Sequence, residues 1–121
     1  KKVPKMKISD LVDKFDLKVF SGKKGLNNEI TGAYVSDLLS DVMGNADAGE
    51  VWITLQTHKN VMAIASLKDL AAVILVKDNE PDNDTLEKSN EENIPVLGTS
   101  ENTFEIAGRL YQLLQDENIQ G

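Results

Sequence analysis

His58 is the only imidazole of the chain, and it stands in Thr54-Leu55-Gln56-Thr57-His58-Lys59-Asn60, a run of hydroxyl, amide and imidazole groups between two apolar stretches. A histidine that titrates near neutrality can serve as a general base or a metal ligand, provided other groups converge on it. A serine nucleophile would need Ser36, Ser40, Ser66 or Ser100 carried onto that imidazole, and no spacing in the chain does this. A His58-centred enzyme would have Asp37 or Asp41 as its acid. With no cysteine and a single histidine, zinc ligation lacks donors, while a magnesium site made of carboxylates alone stays open. Read locally, His58 is a helix-start residue beside Thr57.

Phosphate chemistry has its own spacing rules. A P-loop needs GxxxxGK[ST], because its glycines let backbone amides surround phosphate while its lysine reaches the terminal phosphates. Ser21-Gly22-Lys23-Lys24-Gly25 has the residue types without the spacing, and GxGxxG is absent as well. No catalytic residue, metal or cofactor is therefore assigned, and the chain is expected not to be an enzyme.

The elements that hold these groups follow from pattern. Ser9 reads as the N-cap of a first helix carrying Leu11, Val12 and Phe15. Leu17 to Gly22 reads as a short strand, followed by a polar turn, and Ile30 to Ser36 as a second strand. Leu38, Leu39, Val42 and Met43 mark a short helix that stops at Gly44. Val51 to Leu55 and Ala71 to Lys77 are uninterrupted apolar runs, as expected of strands covered on both faces, and a helix with Val61, Met62, Ile64, Ala65 and Leu67 lies between them. Pro81 to Asn93 reads as an exposed surface helix and Ile94 to Ser100 as another strand. The closing helix from Asn102 to Asn118 places Phe104, Ile106, Ala107, Leu110, Tyr111, Leu113 and Leu114 on one packed face.

Alternation of strands and helices from Ile30 onward predicts an α/β fold: one three-layer domain over residues 1–121, with a mainly parallel sheet and helices on both faces. Ligands of such sheets gather at the carboxyl ends of the strands. Three loops are thereby singled out, at Ser36 to Leu38, Leu55 to Asn60, and Gly98 to Phe104. The candidate ligand-binding residues are Ser36, Asp37, Thr54, Gln56, Thr57, His58, Asn60, Thr99, Ser100 and Thr103. The loops at Thr57 and Ser100 enter helices, whose free N–H groups suit phosphate or carboxylate, although Thr57, Ser100 and Asn102 can equally be plain helix caps.

Charge limits the partners. Residues 1–28 hold eight lysines against three acids, while the remainder holds five bases and 17 acids, for a chain total of -7. Most of this surface repels nucleic acid. No apolar run reaches the roughly 20 residues of a membrane span, and the lysine-rich start lacks the hydrophobic segment of a signal peptide, so a cytoplasmic protein is expected.

In order, Gly32-Ala-Tyr-Val-Ser-Asp-Leu-Leu-Ser-Asp-Val-Met43, then Val51 to Leu67, Ala71 to Val76, and Ile94 to Leu110 resemble the DRTGG domain, in stand-alone proteins similar to the non-catalytic N-terminal part of bacterial HPr serine kinase. The likeness covers about residues 7–115. It implies an HPr kinase N-terminal-domain-like fold and a regulatory or ligand-sensing module, commonly dimeric, joined in other members to enzymes. The Asp-Arg pair of the family falls near Gln56 and Thr57, and its Thr-Gly-Gly element near Val76, Lys77 and Asp78, so this chain lacks both. Three readings result: a module binding a nucleotide or small phosphorylated metabolite, a homodimeric or enzyme-binding interaction domain whose exposed edge strand or whose residues Trp52, Val61 and Met62 form the contact, and an enzyme centred on His58.

Overall fold

The computed structural model describes residues 6–117. Lys1, Lys2 and Lys5 of the basic start, and Asn118 of the predicted closing helix, lie outside the described residues. The chain order is α1 (Ile8–Phe15), β1 (Lys18–Ser21), a 3-10 turn (Lys23–Gly25), β2 (Gly32–Val35), α2 (Leu39–Asn45), β3 (Glu50–Thr54), α3 (Lys59–Leu67), β4 (Ala72–Leu75), α4 (Asn83–Glu92), β5 (Val96–Gly98) and α5 (Thr103–Asp116).

The sheet order is β1-β5-β4-β3-β2. Strands β2 to β5 run parallel, with Tyr34 beside Trp52, Trp52 beside Val73 and Val73 beside Val96, while β1 lies antiparallel against β5. The β-branched, uncharged runs Val51-Trp-Ile and Ala72-Val-Ile-Leu75 sit at the centre, buried on both faces as parallel strands must be. Ile53, Ile74 and Leu97 point to a layer made by α1 and α5, with Ile8, Leu11, Ile106 and Leu110. Trp52, Val73 and Val96 point to a layer made by α2 and α3, with Val42, Val61, Met62 and Ala65. The predicted helix–sheet–helix arrangement is the one observed. Among the described residues, no helix is long and apolar enough to cross a membrane.

Several local expectations change. α1 starts two residues earlier than the Ser9 cap predicts, because the Asp10 carboxylate accepts the Lys7 N–H at 2.9 Å and makes Lys7 the cap. Trp52, Val61 and Met62 are fully buried, so the contact expected of these three residues does not form and they belong to the core. α4 is not merely an exposed polar helix: Ser89 donates to the Ile94 carbonyl at 2.6 Å and accepts from Ser21 at 2.8 Å, so two buried hydroxyls rivet α4 to β1 and the start of β5. On α5, Ile106, Leu110 and Leu114 are buried, but Phe104 and Tyr111 are 87% and 66% exposed. The helix is too broadly apolar for one sheet face to cover, and these two rings lie on the uncovered flank.

Candidate functional site

Every parallel strand delivers its carboxyl end to one rim. The β2 loop is fastened to the β3 loop through Asp37, whose carboxylate accepts from the Thr54 hydroxyl at 2.8 Å and from the Leu55 N–H at 2.7 Å. Gln56 returns its side-chain amide to the Asp37 carbonyl at 2.8 Å, and Trp52 donates its indole N–H to the Ser36 carbonyl at 2.8 Å. A carboxylate accepting from two donors, and an amide and an indole N–H each donating to a backbone carbonyl, explain why these side chains gather here: they satisfy backbone that the strand ends leave open.

Tyr34 anchors the following helix by donating to Asp41 at 2.9 Å. The Ser36 hydroxyl and then this phenol hold the Asp41 carboxyl below its ordinary range, and the same hydrogen bond pushes the Tyr34 phenol above 10.0. The signs follow from linkage. Stability from the depressed Asp41 is present above the unfolded carboxylate pKa and is lost as pH falls through the folded value. Stability from the raised Tyr34 is present below pH 10.0 and is lost as pH rises beyond it. Tyr34→Phe is therefore expected to flatten the stability profile at both ends, which denaturant unfolding at a series of pH values would show.

The β3 loop is tied to the start of α4. The Thr57 carbonyl accepts from the Asp82 N–H at 3.1 Å and from the Thr85 hydroxyl at 2.8 Å. His58 occupies the N-cap position of α3 without capping it by its side chain, and Nδ1 lies 3.4 Å from the Asp82 carboxylate. Both side chains are largely exposed, so the pair is a screened surface contact. The expected acids are engaged elsewhere: Asp37 holds Thr54, and Asp41 holds Tyr34. Neither a His58–Asp37 nor a His58–Asp41 pair forms. Asn60 opens onto a hollow between α3 and α4, away from the rim loops.

The β4 loop and the β5 loop are knitted together, with Lys77 N–H donating to the Glu101 carbonyl and Asp78 N–H to the Thr99 carbonyl, both at 2.9 Å. Thr99 uses its hydroxyl to accept the Glu101 N–H, and Asn102, not Ser100, caps α5 in a box with Glu105. Of the three expected caps only Asn102 is one. Glu101 pairs with Arg109, whose guanidinium covers the Phe15 ring at 4.6 Å and so fixes α5 against α1. Thr103 is the first residue of α5.

Lys77 and Asp78 have φ of 58° and 60°, the left-handed region that favours glycine. These are the positions near which the family resemblance puts two glycines. Here the bend is made by two residues that carry side chains. Lys77→Gly is accordingly expected to stabilise the fold by about 0.5–1 kcal/mol, readable as a raised urea midpoint; a lowered midpoint would show that the lysine side chain contributes more than its strain costs.

At this rim lies a crevice of about 450 Å³ lined by Asp16, Lys18, Phe20, Asp78, Asn79, Glu80, Gly98, Thr99 and Ser100. Its origin is topological. The β4 loop enters α4 on one face of the sheet and the β5 loop enters α5 on the other, so the two diverge and leave space over the end of β5, the position where open α/β sheets bind ligands. Of the sequence-selected residues only Thr99 and Ser100 line it; Ser36, Asp37, Thr54, Gln56, Thr57 and His58 form the neighbouring part of the rim. Phe20, Lys18 and the β4 loop are not signalled by sequence, because recognising them requires knowing that β1 lies antiparallel at the edge and that the crossovers change face after β5. Among the described residues no three His, Asp or Glu side chains converge as a metal site.

Comparison with known proteins agrees with this architecture. The chain is 25% identical over 133 residues to HPr kinase/phosphorylase of Bacillus pumilus (strain SAFR-032), an alignment covering 95% of this chain and 42% of that protein, so it spans less than half of the relative's length. Its fold is similar, at a TM-score of 0.67 and 15% identity, to the crystal structure of the CBS and DRTGG domains of the regulatory region of Clostridium perfringens pyrophosphatase complexed with its activator, diadenosine tetraphosphate; the match covers 86% of this chain and 45% of that one. The family model for the DRTGG domain matches residues 10–113, nearly the whole length, and the chain belongs to the DRTGG domain family.

Proposed function

We propose that this DRTGG domain is a non-catalytic regulatory module that senses a small ligand, a nucleotide or related phosphorylated metabolite, at the carboxyl rim of its sheet. The observation that carries the reading is the crevice at the β4/β5 divergence, a preformed concavity on rigid strand ends. The pyrophosphatase regulatory region with the same fold is described in complex with a dinucleotide activator, which supports a nucleotide as the ligand class. Catalysis is disfavoured by the lack of a P-loop spacing and by His58 standing exposed without a nucleophile. A ligand that binds only the folded state stabilises it by mass action. Adenine nucleotides at tenfold over their dissociation constant are expected to add about 1.4 kcal/mol and raise the melting temperature by several degrees. A nucleotide panel that leaves the midpoint unmoved at millimolar concentration removes the reading.

A second role has its own support. Between β2 and α5 runs an apolar hollow of about 620 Å³ lined by Gly32, Ala33, Val35, Phe104, Ala107, Gly108 and Tyr111 among others, without one charged side chain. In a chain of net charge -7, two copies meet most cheaply where charge is absent. The α5 pattern Phe104, Ala107, Gly108, Tyr111 is symmetric about its midpoint: a two-fold axis there sets each copy's Phe104 beside the other's Tyr111 and the small residues face to face. A homodimer through this face is the form in which the module is expected to work.

A further inference from the structure

We infer that the crevice over Gly98 takes the ring end of a nucleoside-type ligand and keeps phosphate outside it. This rests on the ligand-sensing reading and names which end of the ligand the chain recognises. One wall is a flat aromatic surface. Phe20 lies directly on the Gly98 backbone, so closely that a Cβ at Gly98 would stand 2.5 Å from the ring's Cε2. That contact holds one side of the half-buried ring, which also packs against the core, and the exposed Lys18 ammonium stands over the ring, 4.9 Å from its centroid. A lysine over such a ring is a weak and displaceable cover. A planar heterocycle sliding under it gains a stacking partner that is already immobilised.

The charges around that wall are of the wrong sign for phosphate. Asp16, Asp78 and Glu80 line the crevice against the single ammonium of Lys18. Among the described residues none of the three carboxylates is hydrogen-bonded or ion-paired. A phosphate pushed into the crevice meets this net negative field, whereas the amino group of a base and the hydroxyls of a sugar are donors that carboxylates accept. The Ser100 hydroxyl, exposed at the mouth, adds a further polar group. Aromatic wall, unengaged acceptors and volume together select a neutral, donor-rich ring system.

The test is calorimetric titration of the whole chain with adenosine, AMP and inorganic tripolyphosphate, for the wild type, Phe20→Leu, Phe20→Tyr and Asp78→Asn/Glu80→Gln. Adenosine and AMP are expected to bind with similar affinity, and tripolyphosphate is expected not to displace adenosine. Phe20→Leu should weaken both ligands about tenfold, and Phe20→Tyr, which keeps the ring, should retain them, so a loss through misfolding is told apart from a loss of stacking. Removing the two carboxylate charges should admit tripolyphosphate as a competitor. Displacement of adenosine by tripolyphosphate in the wild type, or unchanged binding by Phe20→Leu, overturns the inference while nucleotide sensing stands. Adenosine binding with AMP excluded would mean that the phosphate cannot stay outside the crevice and overturns both, as does no binding by either at millimolar concentration.

Discussion

Replacing Gly25 by Ala is expected to destabilise the fold by about 3 kcal/mol, the upper end of overpacking costs. A Cβ at this position would stand 2.0 Å from the Asn93 carbonyl oxygen and 2.7 Å from Pro95 Cδ, so it meets backbone and a rigid ring, neither of which can swing aside. The 3-10 turn depends on that approach: Gly25 donates to the Gly22 carbonyl at 2.8 Å and accepts from Asn28 at 2.9 Å, while Asn28 reaches the Ala71 and Asn93 carbonyls at 3.1 Å. Pushing the turn outward peels β1 from β5 and takes the Phe20 wall of the crevice with it, so stability and ligand response should fall together. Urea unfolding should show a lower midpoint at unchanged slope. Gly44→Ala, in α2 and away from the α5 flank, is the control, because nothing lies within 4 Å of its Cβ position; in a helix it should stabilise by up to about 1 kcal/mol. Equal stability of Gly25→Ala and the wild type would mean that the β1 edge is not held by this contact.

That contrast shows where sequence is informative. The apolar runs of β3 and β4 and the helical stripe of α3 are read correctly because burial on both faces leaves no room for polar residues, and parallel order follows from strand–helix alternation. The rim follows from the same rule, since all four parallel strands must end together. Long-range contacts are what local pattern omits. Whether Gly25 is a loose turn or a wedge against Asn93 depends on a neighbour 68 positions later, as does the Ser21–Ser89 hydrogen bond. Phe104 and Tyr111 mislead for a different reason: an apolar residue at helical spacing is core only if something covers it, and β2 ends the sheet before it can do so. His58 draws attention by rarity, yet the chemistry-bearing groups of the crevice are commonplace residues on β1 and the β4 loop, which only the fold assembles.

The same uncovered flank gives the second large effect. Phe104→Glu is expected to convert the proposed homodimer into a monomer, halving the mass measured by light scattering. In a two-fold contact each substitution acts twice, so a residue worth about 2 kcal/mol per copy changes the dissociation constant by roughly a thousandfold. Phe104 is almost fully exposed in the isolated chain, so the substitution costs the monomer little, and any change in mass reports association and not folding. Leu67, on α3 on the opposite side of the sheet, is also well exposed, and Leu67→Glu should leave the mass unchanged. Salt supplies an independent sign. A contact made by uncharged groups between chains of net charge -7 is opposed by long-range repulsion, which added salt screens, so dimerisation should strengthen with ionic strength. A contact held by ion pairs would weaken instead. A wild type that remains monomeric at high concentration and high salt removes this interface. A dimer that survives both Phe104→Glu and Tyr111→Glu places the contact on another face, leaving the α5 rings to a partner of different sequence.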